Sequence, residues 1–342
     1  MSDFFRNLVK DLKDDDTSMA SDGTGSAEFG GFIDTGSYAL NAVLSGSIYG
    51  GVPDNKVTAF AGESATGKTY FVLGVVRSFL EKHPTGGVVY YDTEAAVTKG
   101  MMEDRGIDTT RIIIAEPDTI QKFKTHALKL LDAYDQQPKD TRPPMMFVLD
   151  SLGQLSTSKE MEDSLDGKDT RDMTKAQIIK AAFRVLTLKL ARVGIPLLVT
   201  NHVYELVGSY VPTKELSGGT GLKYAASTIA MLSKRKEKDG TDVVGNIIKI
   251  KMHKSRLSKE NSQIEVLLTY AKGLDRYYGL LEIAEKYRIF KKVSTRYQLP
   301  DGSSVFGKSI NENPEKYYTE EVLALIEKAV EQEFKYGASE NE

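Results

Sequence analysis

The stretch GESATGKT, residues 62–69, has the composition and spacing of a loop that binds phosphate groups. Gly62 and Gly67 permit a tight turn in which successive backbone N–H groups point at an anion. In such a loop Lys68 reaches the β- and γ-phosphate oxygens, and the hydroxyl of Thr69 binds Mg²⁺. These residues therefore predict a site for a nucleoside triphosphate with Mg²⁺.

The sequence on either side of this loop predicts the elements that must position it. KVTAF (56–60) is a short apolar run typical of a buried strand, and KTYFVLGVVRSFL (68–80) is typical of a helix packed on both sides. Strand, glycine loop and helix in this order place an anion at a helix N-terminus, where the helix dipole favours negative charge. A glycine-rich turn without a ligand is the simpler alternative, and this context argues against it.

Two carboxylates follow apolar strands elsewhere in the chain. Asp150 ends the run MMFVLD, and an acid in that position can order the Mg²⁺ shell opposite Thr69. Glu94 lies just past the strand that follows the phosphate-loop helix, so a parallel sheet brings it to the same edge as the phosphates. There it can polarise the water that attacks in line with the leaving oxygen. A turn or cap residue at Asp150 and an exposed loop residue at Glu94 are the alternative interpretations.

Two long polar loops follow neighbouring strands. Segment 203–220 begins directly after Asn201 and His202 at one strand end, and segment 156–175 follows the strand of Asp150. A loop of about 18 residues without apolar periodicity is uncommon in a compact domain and is usually functional or mobile. Because both loops leave one nucleotide-binding sheet, we expect the nucleotide to control what they grip.

The intervening sequence predicts an α/β fold. From Phe32 to Ala271 strand-like and helical runs alternate, which indicates a mostly parallel sheet with helices on both faces. The expected strands are 56–60, 87–92, 111–116, 145–150 and 195–201, and the expected helices are 68–80, 99–105, 118–135 and 173–193. After residue 220 sequential strands favour antiparallel hairpins, and these strands are 227–232, 246–254 and 262–269.

The two ends of the chain differ from this core. Residues 1–30 combine a short amphipathic helix with a Gly/Ser-rich linker, which predicts an N-terminal oligomerisation arm that is separate from the core. Residues 271–342 predict a small α+β unit with an acidic tail. Its expected elements are a helix (275–290), a hairpin (291–306) and a last helix (314–336). The core then covers residues 31–270.

Composition places the chain among ordinary globular proteins, with 40% apolar and 27% charged residues in 342. No cysteine is present, which excludes disulfides, thiolate zinc sites and a cysteine nucleophile, and the four histidines have no ligand spacing. No apolar run is long enough to span a bilayer, and the N-terminus lacks the layout of a secretory signal. We expect a cytoplasmic protein with no membrane partner and with Mg²⁺ as its metal.

The net charge of −3 hides a local asymmetry. Residues 234–259 hold nine Lys and Arg against three acids, whereas residues 310–342 hold nine acids against three bases. A polyanionic partner would therefore meet one local face and not the whole molecule. A solvated, charged hairpin explains the basic run equally well.

Several of these segments together resemble a known family. In chain order GESATGKT, YYDTEAAV, FVLDSLGQL, VTNHVYE, SGGTGLKYAAS and KMHKSR, with FIDTGSYALNAVLSG (32–46) ahead of them, are similar to motifs of the RecA recombinases. The details DSLG and YYGLLEIA are most similar to the T4-type phage branch of that family. The resemblance covers roughly residues 30–310 and implies a RecA-like P-loop ATPase core.

The resemblance also implies an activity and partners. Proteins of this family use ATP and Mg²⁺, polymerise as helical homo-oligomers on single-stranded DNA, and exchange strands with homologous double-stranded DNA. A single-strand-binding protein and a loader are further expected partners. The two long loops then become DNA-binding loops, and their expected contact residues are Lys159, Arg171, Lys175, Tyr204, Tyr210, Lys214, Gly218 and Gly219.

The family pattern assigns roles to individual residues of the nucleotide site. The phosphate loop comprises Gly62, Glu63, Ser64, Ala65, Thr66, Gly67, Lys68 and Thr69. Glu94 activates water, Asp150 supports the metal, and His202 senses the γ-phosphate at the root of the second loop. Lys254 and Arg256 match basic residues that reach the ATP of the adjacent protomer, and Met101 stands where an aromatic stacks on adenine.

Two other functions fit part of the same sequence. A hexameric helicase with this core would also place a P-loop, a glutamate and loops around single-stranded DNA, but it normally carries an N-terminal collar domain. The 30 residues ahead of the core leave no room for such a collar. A non-catalytic recombination mediator would bind ATP as a structural ligand, and it would need neither Glu94 nor the pair Lys254 and Arg256.

Overall fold

The structure is a computed structural model that describes residues 2–12, 17–23, 25–28, 30–168, 172–205 and 214–337. Within these ranges the helices are α1 (Ser2–Leu12), α2 (Tyr38–Ser45), α3 (Lys68–Lys82), α4 (Lys99–Glu103), α5 (Ile120–Asp135), α6 (Ser158–Leu165), α7 (Lys175–Val193), α8 (Gly221–Ala225), α9 (Leu280–Lys286), α10 (Gly307–Glu312), α11 (Pro314–Tyr317) and α12 (Glu320–Phe334). The strands are β1 (Phe32–Ile33), β2 (Val52–Pro53), β3 (Val57–Gly62), β4 (Gly87–Asp92), β5 (Ile112–Ala115), β6 (Met145–Asp150), β7 (Leu197–Glu205), β8 (Lys214–Leu216), β9 (Thr228–Asp239), β10 (Asp242–Ser255), β11 (Gln263–Thr269), β12 (Gly273–Leu274), β13 (Lys291–Val293), β14 (Arg296–Gln298) and β15 (Ser304–Phe306).

A ten-stranded sheet forms the centre of the molecule. Nine of its strands follow the order β12-β11-β10-β9-β3-β7-β6-β4-β5, and β8 pairs with the end of β7. The strands from β9 to β5 in this order run parallel, whereas β10, β11 and β12 are antiparallel. The expectation of a mostly parallel α/β sheet is therefore confirmed.

Helices bury both faces of the parallel strands. On one face α2 and α3 pack on the sheet through residues such as Leu40, Phe71 and Val75. On the other face α5 and α7 pack through residues such as Phe123 and Phe183. Strands covered on both sides need apolar residues at successive positions, which is why these strands appear in the sequence as continuous apolar runs.

The strand order brings four loop-bearing strand ends to one edge of the sheet. β3, β7, β6 and β4 are neighbours and run in the same direction. Gly62 at the end of β3 pairs with His202 on β7, and Asp92 at the end of β4 pairs with Asp150 at the end of β6. Ligands of open α/β sheets bind at this carboxyl edge.

The antiparallel extension is longer than its sequence pattern indicates. β9 and β10 form a hairpin that continues past the apolar positions 227–232 and 246–254 into exposed, charged residues. The ladder contains register shifts between Val243 and Gly245 and between Met252 and Lys254. Because the outer half of the hairpin lacks a buried face, apolar periodicity could not reveal its length.

Two of the helices expected in the C-terminal segment need correction. The helix predicted over 275–290 begins only at Leu280, because the Asp275 carboxylate accepts hydrogen bonds from the backbone N–H groups of Tyr277 and Tyr278 in a turn. The helix predicted over 314–336 is divided into α11 and α12, because Thr319 caps a new helix N-terminus.

Three further expectations need correction. Segment 156–175 is not wholly a loop, because Thr157 forms a capping box with Glu160 and starts α6. The helix predicted over 118–135 begins at Ile120, because Thr119 is its N-cap and the Thr119 hydroxyl accepts a hydrogen bond from the Lys122 backbone N–H. The hairpin predicted over 291–306 gains a strand and is a three-stranded antiparallel sheet, β13-β14-β15.

The predicted amphipathic helix at the N-terminus is present as α1. Its side chains Phe4, Phe5, Leu8 and Leu12 are all exposed to solvent. At the other end of the chain, α9 and α12 join the same hydrophobic cluster as α2 and α3. No helix in the part of the chain that the structure describes is both long and apolar enough to cross a membrane.

Candidate nucleotide site

The phosphate loop connects β3 to α3 at the carboxyl edge of the sheet, as expected. Gly62 must lack a side chain, because a Cβ there would lie 2.8 Å from the carbonyl oxygen of Leu232 and 2.6 Å from Thr66 Oγ1. Gly67 has a φ of 86° and Ala65 a φ of 57°, so two residues of the loop adopt the left-handed backbone conformation before α3 begins. The loop therefore leads directly into a helix N-terminus, which attracts anions.

Lys68 is buried within this loop and is 7% exposed. Its Nζ donates hydrogen bonds to the carbonyl oxygens of Gly62 at 3.1 Å and Glu63 at 2.8 Å. Burial lowers the pKa of the Lys68 ammonium, and the carboxylates of Glu94 and Asp150 oppose that shift. The ammonium group is thus held at the loop, between two carboxylates, where a phosphate would need a cation.

Thr69 and Asp150 meet beneath the loop. Thr69 Oγ1 donates to Asp150 Oδ2 at 2.8 Å, Tyr90 OH donates to the same oxygen at 2.7 Å, and Thr200 Oγ1 donates to Asp150 Oδ1. Burial raises the pKa of Tyr90 well above its usual value, as does the Asp150 charge, so this hydroxyl stays a donor. A hydroxyl and a carboxylate are the hard oxygen donors that Mg²⁺ prefers, and the residues therefore fit this metal.

Glu94 lies at the same edge and receives two contacts from neighbouring strand ends. Ser151 Oγ donates to Glu94 Oε1 at 2.6 Å, and His202 Nε2 lies 3.0 Å from that oxygen. Burial raises the pKa of Glu94, but the hydrogen bonds from Ser151 and His202 and the charge of Lys68 outweigh it, so the pKa is lowered. Glu94 is therefore a carboxylate at neutral pH and can accept a proton.

Asp92 positions the segment that carries Glu94. Its carboxylate accepts hydrogen bonds from the backbone N–H groups of Glu94 at 3.1 Å and Val97 at 3.0 Å. Asp92 is almost fully buried, so the turn after β4 is fixed from inside the protein. This aspartate stands two residues before Glu94 in the sequence, but the sequence gave no sign of which residue of the turn faces inward.

His202 links Glu94 to the root of the second loop. Asn201 Nδ2 donates to the carbonyl oxygen of Ser217 at 2.9 Å, and the Ser217 N–H donates to the carbonyl oxygen of His202 at 2.9 Å. β8 then pairs antiparallel with the end of β7, with Val203 opposite Leu216. The two ends of the loop are thus joined directly beside the carboxylate.

The structure brings several candidate DNA-binding residues to one cavity of about 500 Å³. Lys175 of α7, Tyr204 of β7, Gly218 and Gly219 line it, and Lys175 also forms an ion pair with Glu160 at 3.3 Å. Both glycines have positive φ and pack closely on α7. The two loops therefore share one surface concavity.

The remaining candidates of this group are divided. Lys159 is exposed on α6 and does not line the cavity. Arg171 and Tyr210 lie outside the residues that the structure describes, as does the side chain of Lys214. The DNA contacts of all eight candidates stay predictions.

A second cavity, of about 630 Å³, adjoins the phosphate loop. Tyr70, directly after Thr69, lines this cavity together with Arg105 and Tyr270. The guanidinium carbon of Arg105 lies 5.0 Å from the centre of the Tyr70 ring. Met101 is half-buried on α4 and is not among the described residues that line the cavity. Tyr70 follows the phosphate loop and Tyr270 follows β11. The sequence predicted neither tyrosine as an adenine contact.

Lys254 and Arg256 lie at the opposite edge of the sheet. Lys254 pairs with Ile229 near the start of β9, and Arg256 donates its backbone N–H to Ser227. The start of β9 pairs with Thr58, four residues before the phosphate loop, a separation of about 13 Å along the strand. The structure therefore does not bring these two cations to the phosphate loop of their own chain.

The fold and the arrangement of side chains at the carboxyl edge of the sheet define an α/β protein of the P-loop class. The chain belongs to the RecA family: the family model described as the RecA N-terminal domain matches residues 18–275. It is 33% identical over 245 residues to the recombination and repair protein of Enterobacteria phage T4, covering 72% of this chain and 61% of that protein. It is 28% identical over 315 residues to protein RecA of Salinispora tropica, covering 90% of this chain and 84% of that protein.

Proposed function

We propose that this chain is an ATP-dependent DNA strand-exchange recombinase that forms a helical filament on single-stranded DNA and takes homologous double-stranded DNA as its second substrate. Membership of the RecA family and the names of the T4 and RecA relatives support recombination and repair. The observation that carries the proposal is the contact between His202 and Glu94, because it joins a hydrolytic carboxylate to the root of a loop.

The phosphate loop would hold ATP through backbone N–H groups, Lys68 and the N-terminus of α3. Thr69 and Asp150 would hold Mg²⁺, which when bound neutralises charge on the phosphate oxygens. Tyr90 and Thr200 keep the Asp150 carboxylate in one orientation, so this half of the site is organised by the protein itself. The cavity lined by Tyr70 and Tyr270 would take the base, because aromatic rings suit adenine.

Glu94 would accept a proton from the attacking water. Its lowered pKa keeps it ionised, and Ser151 and His202 restrict the carboxylate to one rotamer. A γ-phosphate near Lys68 would compete for His202 and thereby change the position of the loop root at Ser217. In this way the state of the nucleotide would reach the DNA-binding loops.

Imaging tests this proposal against its alternatives. The purified protein would be incubated with and without ATP and single-stranded DNA and examined by electron microscopy, with hydrolysis measured on the same samples. ATP-dependent helical filaments with DNA-stimulated hydrolysis are the expected result. Closed hexamers would support a helicase, and ATP binding without hydrolysis or filaments would support a mediator; either would overturn the proposal.

A further inference from the structure

β9 passes directly beside the phosphate loop. Its residue Leu232 pairs with Gly62, and the contact is so close that a Cβ on Gly62 would lie 3.1 Å from the Cβ of Leu232. Leu232 belongs to the hydrophobic cluster on the face of the sheet that α3 covers. Because side chains alternate along a strand, Lys234 points to this same face, two positions beyond the end of β3.

Lys234 contacts the phosphate loop at Ala65. Its Nζ donates a hydrogen bond of 2.7 Å to the carbonyl oxygen of Ala65. Ala65 adopts a φ of 57°, which is unfavourable for a residue with a side chain, and this hydrogen bond helps to hold the turn. The other cation of the loop, Lys68, bonds to Gly62 and Glu63, so the two lysines hold different parts of the loop.

This contact fixes the direction of one backbone amide. In a trans peptide the C=O and the following N–H point in opposite directions. With the Ala65 carbonyl directed at Lys234, the Thr66 N–H is directed away from β9. A phosphate loop works by keeping such N–H groups turned toward the anion. Loss of one of them weakens the binding of the phosphate groups and leaves the binding of the nucleoside unchanged.

We propose that Lys234 is a positioning residue of the phosphate site, which holds the Ala65–Thr66 peptide in the orientation that binds the phosphates of a nucleotide. The inference rests on the proposed binding of ATP. Sequence reasoning missed Lys234, because it appeared only as one of several cations in the basic run 234–259.

Three variants test the role. Lys234→Met removes the charge and keeps much of the side-chain length, Lys234→Arg restores a cationic donor, and Lys238→Met removes an exposed lysine four residues further along β9. Affinities for ATP with Mg²⁺, for ADP with Mg²⁺ and for adenosine would be measured without DNA by calorimetry. Hydrolysis at saturating ATP would be measured in parallel.

Lys234→Met should weaken the binding of ATP and ADP about tenfold, since the Thr66 N–H is no longer held in the orientation that binds a phosphate. Its adenosine affinity and its kcat at saturating ATP should stay within about twofold of wild type, and Lys234→Arg and Lys238→Met should bind ATP normally. Unchanged ATP affinity in Lys234→Met, or an equal loss for adenosine, would overturn the role of Lys234 and leave the proposed function intact. A wild-type protein that binds no ATP would remove the proposed function itself.

Discussion

At the scale of single residues, Glu94 is the group whose surroundings are most specific to one task. Its side chain is 30% exposed and therefore accessible to water, while Ser151 and His202 contact one carboxylate oxygen. A residue that served only to bind metal or to cap a turn would not need a histidine from the root of the loop 203–220. Substitutions at this position therefore test the mechanism most directly.

Glu94→Gln keeps the shape of the side chain and the acceptor for Ser151 but removes the base. ATP affinity should stay within about threefold of wild type, while the hydrolysis rate should fall by about 100-fold or more. Equilibrium binding of a fluorescent ATP analogue and a steady-state ATPase assay measure the two quantities. A rate within about threefold of wild type, less than 1 kcal/mol of barrier, would rule out Glu94 as the base.

Ser151→Ala tests the hydrogen bond that helps to hold Glu94 ionised. Since this bond lowers the pKa of Glu94, its loss should raise that pKa. A larger fraction of Glu94 is then protonated at a given acidic pH, so the acid limb of the ATPase pH profile should move to higher pH. The alkaline limb should not move and serves as the internal control. An acid limb that stays in place would show that Ser151 does not tune the base.

The residues that sequence analysis could place are those with a distinctive neighbourhood in the chain. Asp150 ends one apolar strand and Glu94 follows another, and the parallel arrangement then requires that both lie at the same edge of the sheet. Tyr90 and Thr200 lie inside strands that are buried on both faces. In such a strand polar residues do not mark one face, so nothing in the sequence assigned these two hydroxyls to the Asp150 carboxylate.

At the scale of elements, the buried strands were predicted best. β4 and β6 have the predicted bounds, because apolar runs that end in an acid mark both termini. Elements without such a run were predicted poorly. The start of α6 depends on the capping box of Thr157 and Glu160. The start of the short helix α9 depends on the turn at Asp275. In both places local hydrogen bonds override the apolar periodicity.

α1 is an element whose apolar side chains lack burial in the single chain. Phe4 is 64% exposed and Leu12 is 63% exposed, and the ion pair of Arg6 with Asp22 is too exposed to stabilise the fold appreciably. Such a helix is stable only against a partner surface, and a second copy of this chain is the partner that the proposed filament supplies.

Deletion of residues 1–16 should therefore separate folding from assembly. The melting temperature of the monomer should change by less than about 2 °C, whereas filament formation with ATP and single-stranded DNA should be strongly reduced. Differential scanning calorimetry and electron microscopy measure the two effects. The double variant Phe4→Ala/Phe5→Ala is the matched control for the loss of apolar contact alone. Normal filaments from the truncated protein would show that α1 does not contribute to assembly.

At the scale of the whole molecule, the two charged sites lie on opposite edges of one sheet. The phosphate loop is at the carboxyl edge, and Lys254 and Arg256 are at the amino edge. If the cations act on ATP at all, they must act on the ATP of another chain. A contact between unlike edges is heterologous, and repeated contacts of this kind build a ring or an open helix. This geometry supports hydrolysis at protomer boundaries.

Mixing two inactive variants tests this arrangement. Lys254→Ala/Arg256→Ala protein retains Glu94 but lacks the cations, and Glu94→Gln protein retains the cations but lacks the base. In a mixture with excess Glu94→Gln protein, boundaries form that pair an intact Glu94 with intact cations from the neighbouring chain. DNA-stimulated ATP hydrolysis should then exceed the sum of the two separate activities, because such cations stabilise the charge that develops in the transition state. The matched control replaces the double variant with Lys238→Met/Glu94→Gln, which restores no such boundary. Activities that merely add would show that Lys254 and Arg256 act within their own chain or not at all.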